Sequence, residues 1–168
     1  MDKRDTFYGI NGISLREMRP EDFEAVHELW MSIHGFAIRS VDDSYEGVLR
    51  FLKRNPGCSV VAEKAGEVVG SILCGHDGRT ACFYHVCVRE DCRKHGIGKE
   101  MVTFCMRALQ REQVSKISLV AFMNNEVGNQ FWNAEGWTRR QDLNQYEFIL
   151  NEDNITRFNA QRRHICFR

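Results

Sequence analysis

Apolar and polar residues change period several times along this 168-residue chain, and each change marks an element. Gly12–Met18, GISLREM, has strand character and stops at Arg19-Pro20. Pro20 gives a helix start a fixed φ, and Glu21 and Asp22 suit the positive end of the helix dipole. Phe23, Val26, Leu29, Trp30 and Ile33 then recur at helical spacing as far as Gly35. A second helix is predicted from about Asp42 to Arg54, closed by Asn55-Pro56-Gly57. CSVVAEK, EVVGSILCG and TACFYHVCV follow as three strands of an antiparallel meander, the last two joined by an HDGR turn. A loop with two glycines leads into a helix whose apolar face is Met101, Val102, Cys105, Ala108 and Leu109. KISLVAF reads as a buried strand, residues 126–135 as a helix ending at Gly136, and QYEFIL as a last strand.

The order β-α-α-β-β-β-α-β-α-β predicts an α/β (α+β mixed sheet) class, with helices on a sheet whose middle is antiparallel. Residues 1–150 are expected to form one domain, and 151–168 a polar tail carrying Arg157, Arg162, Arg163 and Arg168. Apolar residues at 43% and charged residues at 27% are ordinary globular values. The 23 basic and 23 acidic residues cancel, so the surface as a whole has no electrostatic pull towards nucleic acid or an anionic membrane. Any affinity for anions must be local. Seven cysteines without a C-x-x-C pair predict reduced thiols in a cytoplasmic protein. Cys82, Cys87, Cys92 and His95 have no zinc-finger spacing, so no metal is expected.

Local chemistry concentrates in VREDCRKHGIGKEM, Val88–Met101. A strand-to-helix loop presents unpaired amides at the positive end of the following helix, which makes it a cradle for phosphate. Arg93, Lys94, His95 and Lys99 add charge, and Gly96 and Gly98 remove the Cβ atoms that would hold a phosphate off. The spacing matches neither a Walker loop nor a dinucleotide fingerprint, because Glu100 and Met101 stand where a Ser/Thr and a third glycine are needed. What remains is R-x-x-G-x-G over Arg93–Gly98.

With its surroundings, that hexapeptide resembles the GCN5-related N-acetyltransferase (GNAT) superfamily, whose acetyl-CoA loop has the pattern [QR]-x-x-G-x-[GA]. A second family block, N-x-x-A-x-x-[LF]-Y-x-x-x-G-[FY], is matched with changes by Asn125–Trp137. GHDG and FWNAEGW look like the bacterial YpeA-like branch. The resemblance covers roughly residues 13–150 and implies that the strands before and after the loop's helix splay apart, with helices on both faces of the sheet. It also implies acetyl-CoA as co-substrate and direct transfer of the acetyl group to a primary amine in a ternary complex. The loop amides of Arg93, Lys94, His95, Gly96, Ile97, Gly98 and Lys99 would hold the pyrophosphate. Backbone groups of Val86, Cys87 and Val88 would pair with the pantetheine arm, the Val86 N–H acting as oxyanion donor. Asn125 and Trp132 would meet the arm or its thiol end.

The chain departs from the family where protons are handled. Trp132 replaces the tyrosine that often serves as general acid, and Val120 stands where some members carry a glutamate base. Tyr84 is the first candidate for proton transfer and Cys82 the second, since strand alternation puts both on one face with Val86. The same alternation points His85 away from Tyr84, and HDGR around His76 and Asp77 is ordinary hairpin chemistry. WMSIHGFAIRS supplies Trp30, His34, Phe36 and Arg39 as an acceptor-side rim, suited to a small amine that carries an acid or a ring. Alternatives are a peptide N-terminal amine as acceptor, or a protein that binds acetyl-CoA without turnover. The protein is expected to act as a monomer or homodimer.

Overall fold

The computed structural model of the chain describes residues 7–8 and 12–159. Strand β1 (Phe7–Tyr8) pairs with β2 (Ile13–Glu17), and a 3-10 turn at Pro20–Asp22 leads into α1 (Phe23–Ser32). β3 (Ala37–Arg39) and α2 (Tyr45–Arg54) precede the meander β4 (Val60–Lys64), β5 (Glu67–His76) and β6 (Thr80–Val88). α3 (Ile97–Arg111), β7 (Lys116–Ser118), α4 (Glu126–Ala134) and β8 (Thr156–Phe158) complete the described chain. The main sheet runs β1-β2-β4-β5-β6-β7, antiparallel except for the parallel β6–β7 pair, and β3 and β8 form a separate antiparallel pair.

Strand alternation divides the core between the two faces of the sheet. Val60, Ala62, Ile72, Cys74 and Phe83 pack with Met101, Cys105 and Leu109 of α3 on one side. Val61, Leu73 and Cys87 pack with Val26, Leu29 and Trp30 of α1 and Val48 and Leu52 of α2 on the other. The expected mixed architecture, with helices on both faces, is therefore present. The cysteines among the described residues are all free, and Cys58, Cys74 and Cys105 touch within the core, where neighbouring thiols and burial push the first two well above the ordinary thiol range. Cys166, Arg162, Arg163 and Arg168 lie outside the described residues.

Two strand predictions need correction. KISLVAF forms a strand only over Lys116–Ser118, and Val120 is 70% exposed rather than buried. QYEFIL forms no strand: residues 139–150 make no backbone hydrogen bond among the described residues, and Tyr146 and Leu150 are 88% and 93% exposed. Alternating apolar residues supply a face, but a strand also needs an edge to pair with. The edge of β3 is taken by Thr156–Phe158, from the stretch read as tail. Around that pairing, Ser40 Oγ donates to the Asp153 carbonyl at 2.7 Å, and Asn154 Oδ1 accepts from the amides of Val41 and Asp42. Asn159 Nδ2 donates to the carbonyls of Trp30 and Ile33, both at 2.8 Å. The first half of the tail thus straps the connection between α1 and α2.

Candidate active site

The parallel contact between β6 and β7 ends at Cys82 opposite Ser118. Beyond it β6 continues to Val88 while residues 119–122 leave the sheet, so the two strands part into a gap lined by the β6 edge. At the far end of β6 the chain makes a 3-10 turn at Glu90–Cys92 and reaches α3 through Arg93–Gly96. Arg93 Nε donates to the Val88 carbonyl at 2.9 Å, pinning the loop to the strand. The amides of residues 94–99 have no acceptor among the described residues, and the first helical bond of α3 is Glu100 N–H to the Gly96 carbonyl. Lys94, His95 and Lys99 are exposed beside them. Such a row at a helix N-terminus fits an anionic diphosphate.

The two glycines serve different ends. Gly96 caps α3 at φ +80, a left-handed conformation that costs an L side chain about 1–2 kcal/mol, although a Cβ there would meet nothing within 4 Å. Gly98 has ordinary helical backbone, but its Cβ would lie 3.2 Å from the Phe131 ring on α4. One glycine sets the turn, and the other lets α4 lie close to α3. Asn125 Oδ1 accepts from the Gly128 amide at 3.0 Å, so this side chain caps α4. Trp132 packs on Phe131, Trp137 and Phe83, in a stack against the α3 side of the core.

The middle of β6 overturns the simple alternation. Ser71 pairs with Cys87 and Leu73 with Tyr84, so one residue of β5 faces two of β6, His85 and Val86. This is a β-bulge, and His85 occupies it at φ +47. After the bulge the faces exchange: Val86 packs on the α3 side, and Tyr84 meets Phe51 of α2. Val86 is therefore not on one face with Cys82 and Tyr84. Nor does His85 point away from Tyr84, because the bulge turns its ring to the α1–α2 side. There it lies 4.5 Å from Trp30 and 5.5 Å from Phe36, ring centre to ring centre. Its Nε2 is 2.7 Å from Oδ1 of Asp43, a carboxylate only 5% exposed. Asp43 Oδ2 in turn accepts from the Arg39 amide at 2.6 Å. Sequence reasoning missed this pair, since neither the bulge nor a contact across 42 residues has a local signal.

Tyr84 is 46% exposed, and burial of its ring with Cys82 beside it raises the phenol to about 12, so it stays protonated and able to donate. Burial pushes the Cys82 thiol up despite a hydrogen bond with Tyr84, which disfavours the thiolate a base would need. Trp30 is fully buried, with Nε1 donating to Ser71 Oγ at 2.9 Å, so it is core behind the site rather than rim. His34 is exposed, Phe36 half-buried against His85, and Arg39 Nη1 stands 3.6 Å from Asp42 Oδ2. Asp77 Oδ1 accepts from the amides of Arg79 and Thr80, which makes HDGR a turn. Among the described residues no group of three or more His, Cys, Asp or Glu side chains could hold a metal, and no helix is long and apolar enough to cross a membrane.

The chain matches the Acetyltransferase (GNAT) family over residues 17–137. It is 33% identical to acetyltransferase SG1711 of Sodalis glossinidius (strain morsitans) over 115 residues, 68% of this chain and 80% of that protein. In fold it is similar to the PaiA N-acetyltransferase of Thermoplasma acidophilum in complex with coenzyme A, with a TM-score of 0.64 at 16% identity over 73% of this chain and 87% of that one. It is likewise similar to AAC(6')-Iy in complex with the bisubstrate analog CoA-S-monomethyl-acetylneamine, with a TM-score of 0.64 at 14% identity over 82% and 98%. A β6–β7 gap and a glycine-capped row of amides are thus joined to a sequence match over most of the chain, and this protein belongs to the acetyltransferase (GNAT) family.

Proposed function

We propose that this acetyltransferase takes its acetyl group from acetyl-CoA and passes it to a primary amine of a small molecule, by direct attack with both substrates bound. The observation that carries the reading is the placement of the gap and the amide row at successive points of one strand edge. The parting of β6 from β7 after Cys82 leaves room for an extended pantetheine arm along Val86, Cys87 and Val88. The amides of residues 94–99, with Lys94, His95 and Lys99 beside them, suit the pyrophosphate at its far end. The Val86 N–H would serve the thioester carbonyl, where a donor stabilises the charge that develops during attack. Tyr84, protonated up to about 12, is suited to return a proton to the leaving sulfur. The bisubstrate complex of AAC(6')-Iy supports a ternary arrangement, because there a CoA part and an acetylated amine are one molecule on this fold. The free thiols agree with a cytoplasmic setting.

Calorimetric titration with acetyl-CoA tests the donor. One-site binding in the micromolar range, about −8 kcal/mol, is expected for the unaltered protein. Gly96→Glu should abolish it by strain and charge, and the exposed Lys99→Glu, which brings no backbone strain, should weaken it about tenfold. Melting curves of both variants separate loss of the cradle from loss of the fold. An unaltered protein that gives no heat with acetyl-CoA, or a Lys99→Glu variant that binds as tightly as the parent, would sink this reading.

A further inference from the structure

We propose that His85 is the general base of the reaction, accepting the proton of the incoming amine at Nδ1, with Asp43 as its positioning residue; this rests on the acetyl-transfer reading above. A carboxylate only accepts hydrogen bonds, so the 2.7 Å contact with Asp43 Oδ1 fixes the proton of a neutral His85 on Nε2. That leaves the lone pair on Nδ1. Nδ1 has no hydrogen-bond partner among the described residues, and none of their side-chain nitrogens or oxygens is both sealed from solvent and unpaired. Nδ1 is therefore unpaired and not sealed from solvent, on a side chain 15% exposed.

Four further observations favour a chemical over a merely structural role. His85 stands just beyond Cys82, where the gap between β6 and β7 opens, which is where the acetyl group would lie. A non-glycine residue at φ +47 carries strain, and such strain persists where the surrounding structure holds a side chain in a required direction. The orienting carboxylate is itself fixed: Asp43 is buried, its Oδ2 accepts from the Arg39 amide, and its turn is clamped by Asn154 across the β3–β8 strap. Trp30 and Phe36 lie against the ring and leave it little freedom to turn.

In the reaction, Nδ1 takes one proton from the acceptor ammonium, and the freed lone pair forms the C–N bond at the thioester carbon. The C–S bond then breaks, its electron pair leaves on sulfur, and the second amine proton passes to that sulfur through Tyr84. Products are the amide, the thiol and an imidazolium, which returns its proton to water. Other ionisable groups around the ring are Tyr84 on β6, Arg39 and Asp42 at the β3 turn, and His27 of α1, which touches Trp30.

His85→Asn is the informative variant, because asparagine tolerates positive φ but has no group that can take up a proton. Turnover is followed as thiol release with a panel of primary amines, and with water as acceptor where no amine reacts. His85→Asn should lower turnover by about 10²- to 10⁴-fold while acetyl-CoA binds as to the parent protein. The acidic limb of the kcat/KM profile should shift in His85→Asn, because the group that takes the amine proton is gone. Asp43→Asn can donate to Nε2, which puts the ring proton on Nδ1, so it should lose activity on a similar scale. Imidazole ¹⁵N shifts should report Nε2–H in the parent and Nδ1–H in that variant. Turnover in His85→Asn within twofold of the parent, an unmoved limb, or Nδ1–H in the parent protein overturns the proposal. Failure of the parent to bind acetyl-CoA would instead remove the reading beneath it.

Discussion

Gly96 and Gly98 belong to one short motif, yet the reason for glycine differs between them. At Gly96 the cost of a side chain is conformational, so Gly96→Ala should lose about 1–2 kcal/mol whatever its neighbours are. At Gly98 a methyl group would gain about 1 kcal/mol of helix propensity but press on Phe131 at 3.2 Å. The ring decides the sign. Gly98→Ala is expected to be neutral or destabilising alone and stabilising in a Phe131→Leu background, whereas Gly96→Ala should be equally costly in both. Urea denaturation of the double-mutant cycles measures this, with a coupling of at least about 0.5 kcal/mol expected only for the Gly98 pair. The sequence marked both positions as special, but only the neighbours say why.

At the scale of elements, the least legible part was the chain after Trp137. QYEFIL has the better strand pattern, yet Thr156–Phe158 makes the pairing. Propensity fixes a local preference, whereas pairing depends on which edge the chain meets when it returns. The strap it forms also closes the end of α1, whose carbonyls at Trp30 and Ile33 are taken by the Asn159 side chain. Asn159→Ala should therefore cost about 1 kcal/mol in thermal or urea unfolding, because the Trp30 and Ile33 carbonyls each lose one of their two donors. If Asp43 depends on the strap, the same variant should also lower turnover more than acetyl-CoA affinity. α1, α2 and α3 were readable because each has a single apolar stripe that must be buried.

Across the whole molecule, an ion-pair network ties β2 to its neighbours. Arg16 on β2 bonds both oxygens of Asp22 in the 3-10 turn, at 2.8 and 2.7 Å, and also reaches Glu63 on β4. Burial by itself would raise the Asp22 carboxyl, but the hydrogen bonds from Arg16 and the Arg19 amide outweigh it and leave the group below its ordinary 3.8. A carboxylate whose pKa is lower in the folded state binds its proton more readily when unfolded. Its stabilising effect is therefore complete above about pH 4 and is lost as pH falls through the lowered folded value. Asp22→Asn should be less stable than the parent at neutral pH, and the difference should shrink below pH 4 in acid-unfolding curves. A constant difference across that range would show that Asp22 acts through packing alone.

The sequence by itself determined the helices, the antiparallel meander and the glycine loop before α3, because each rests on residues adjacent in the chain or one turn apart. Through the spacing of Arg93–Gly98 and the block from Asn125 it also carried the family. The tertiary structure alone decided what faces the gap. A bulge of one extra residue in β6 exchanged the faces of the strand, turned His85 towards Asp43 and sent Val86 to the other side. No local pattern records such a bulge, since it is set by the register of β6 against β5 and by the packing of Trp30 and Phe36 on the ring it turns to the α1–α2 side.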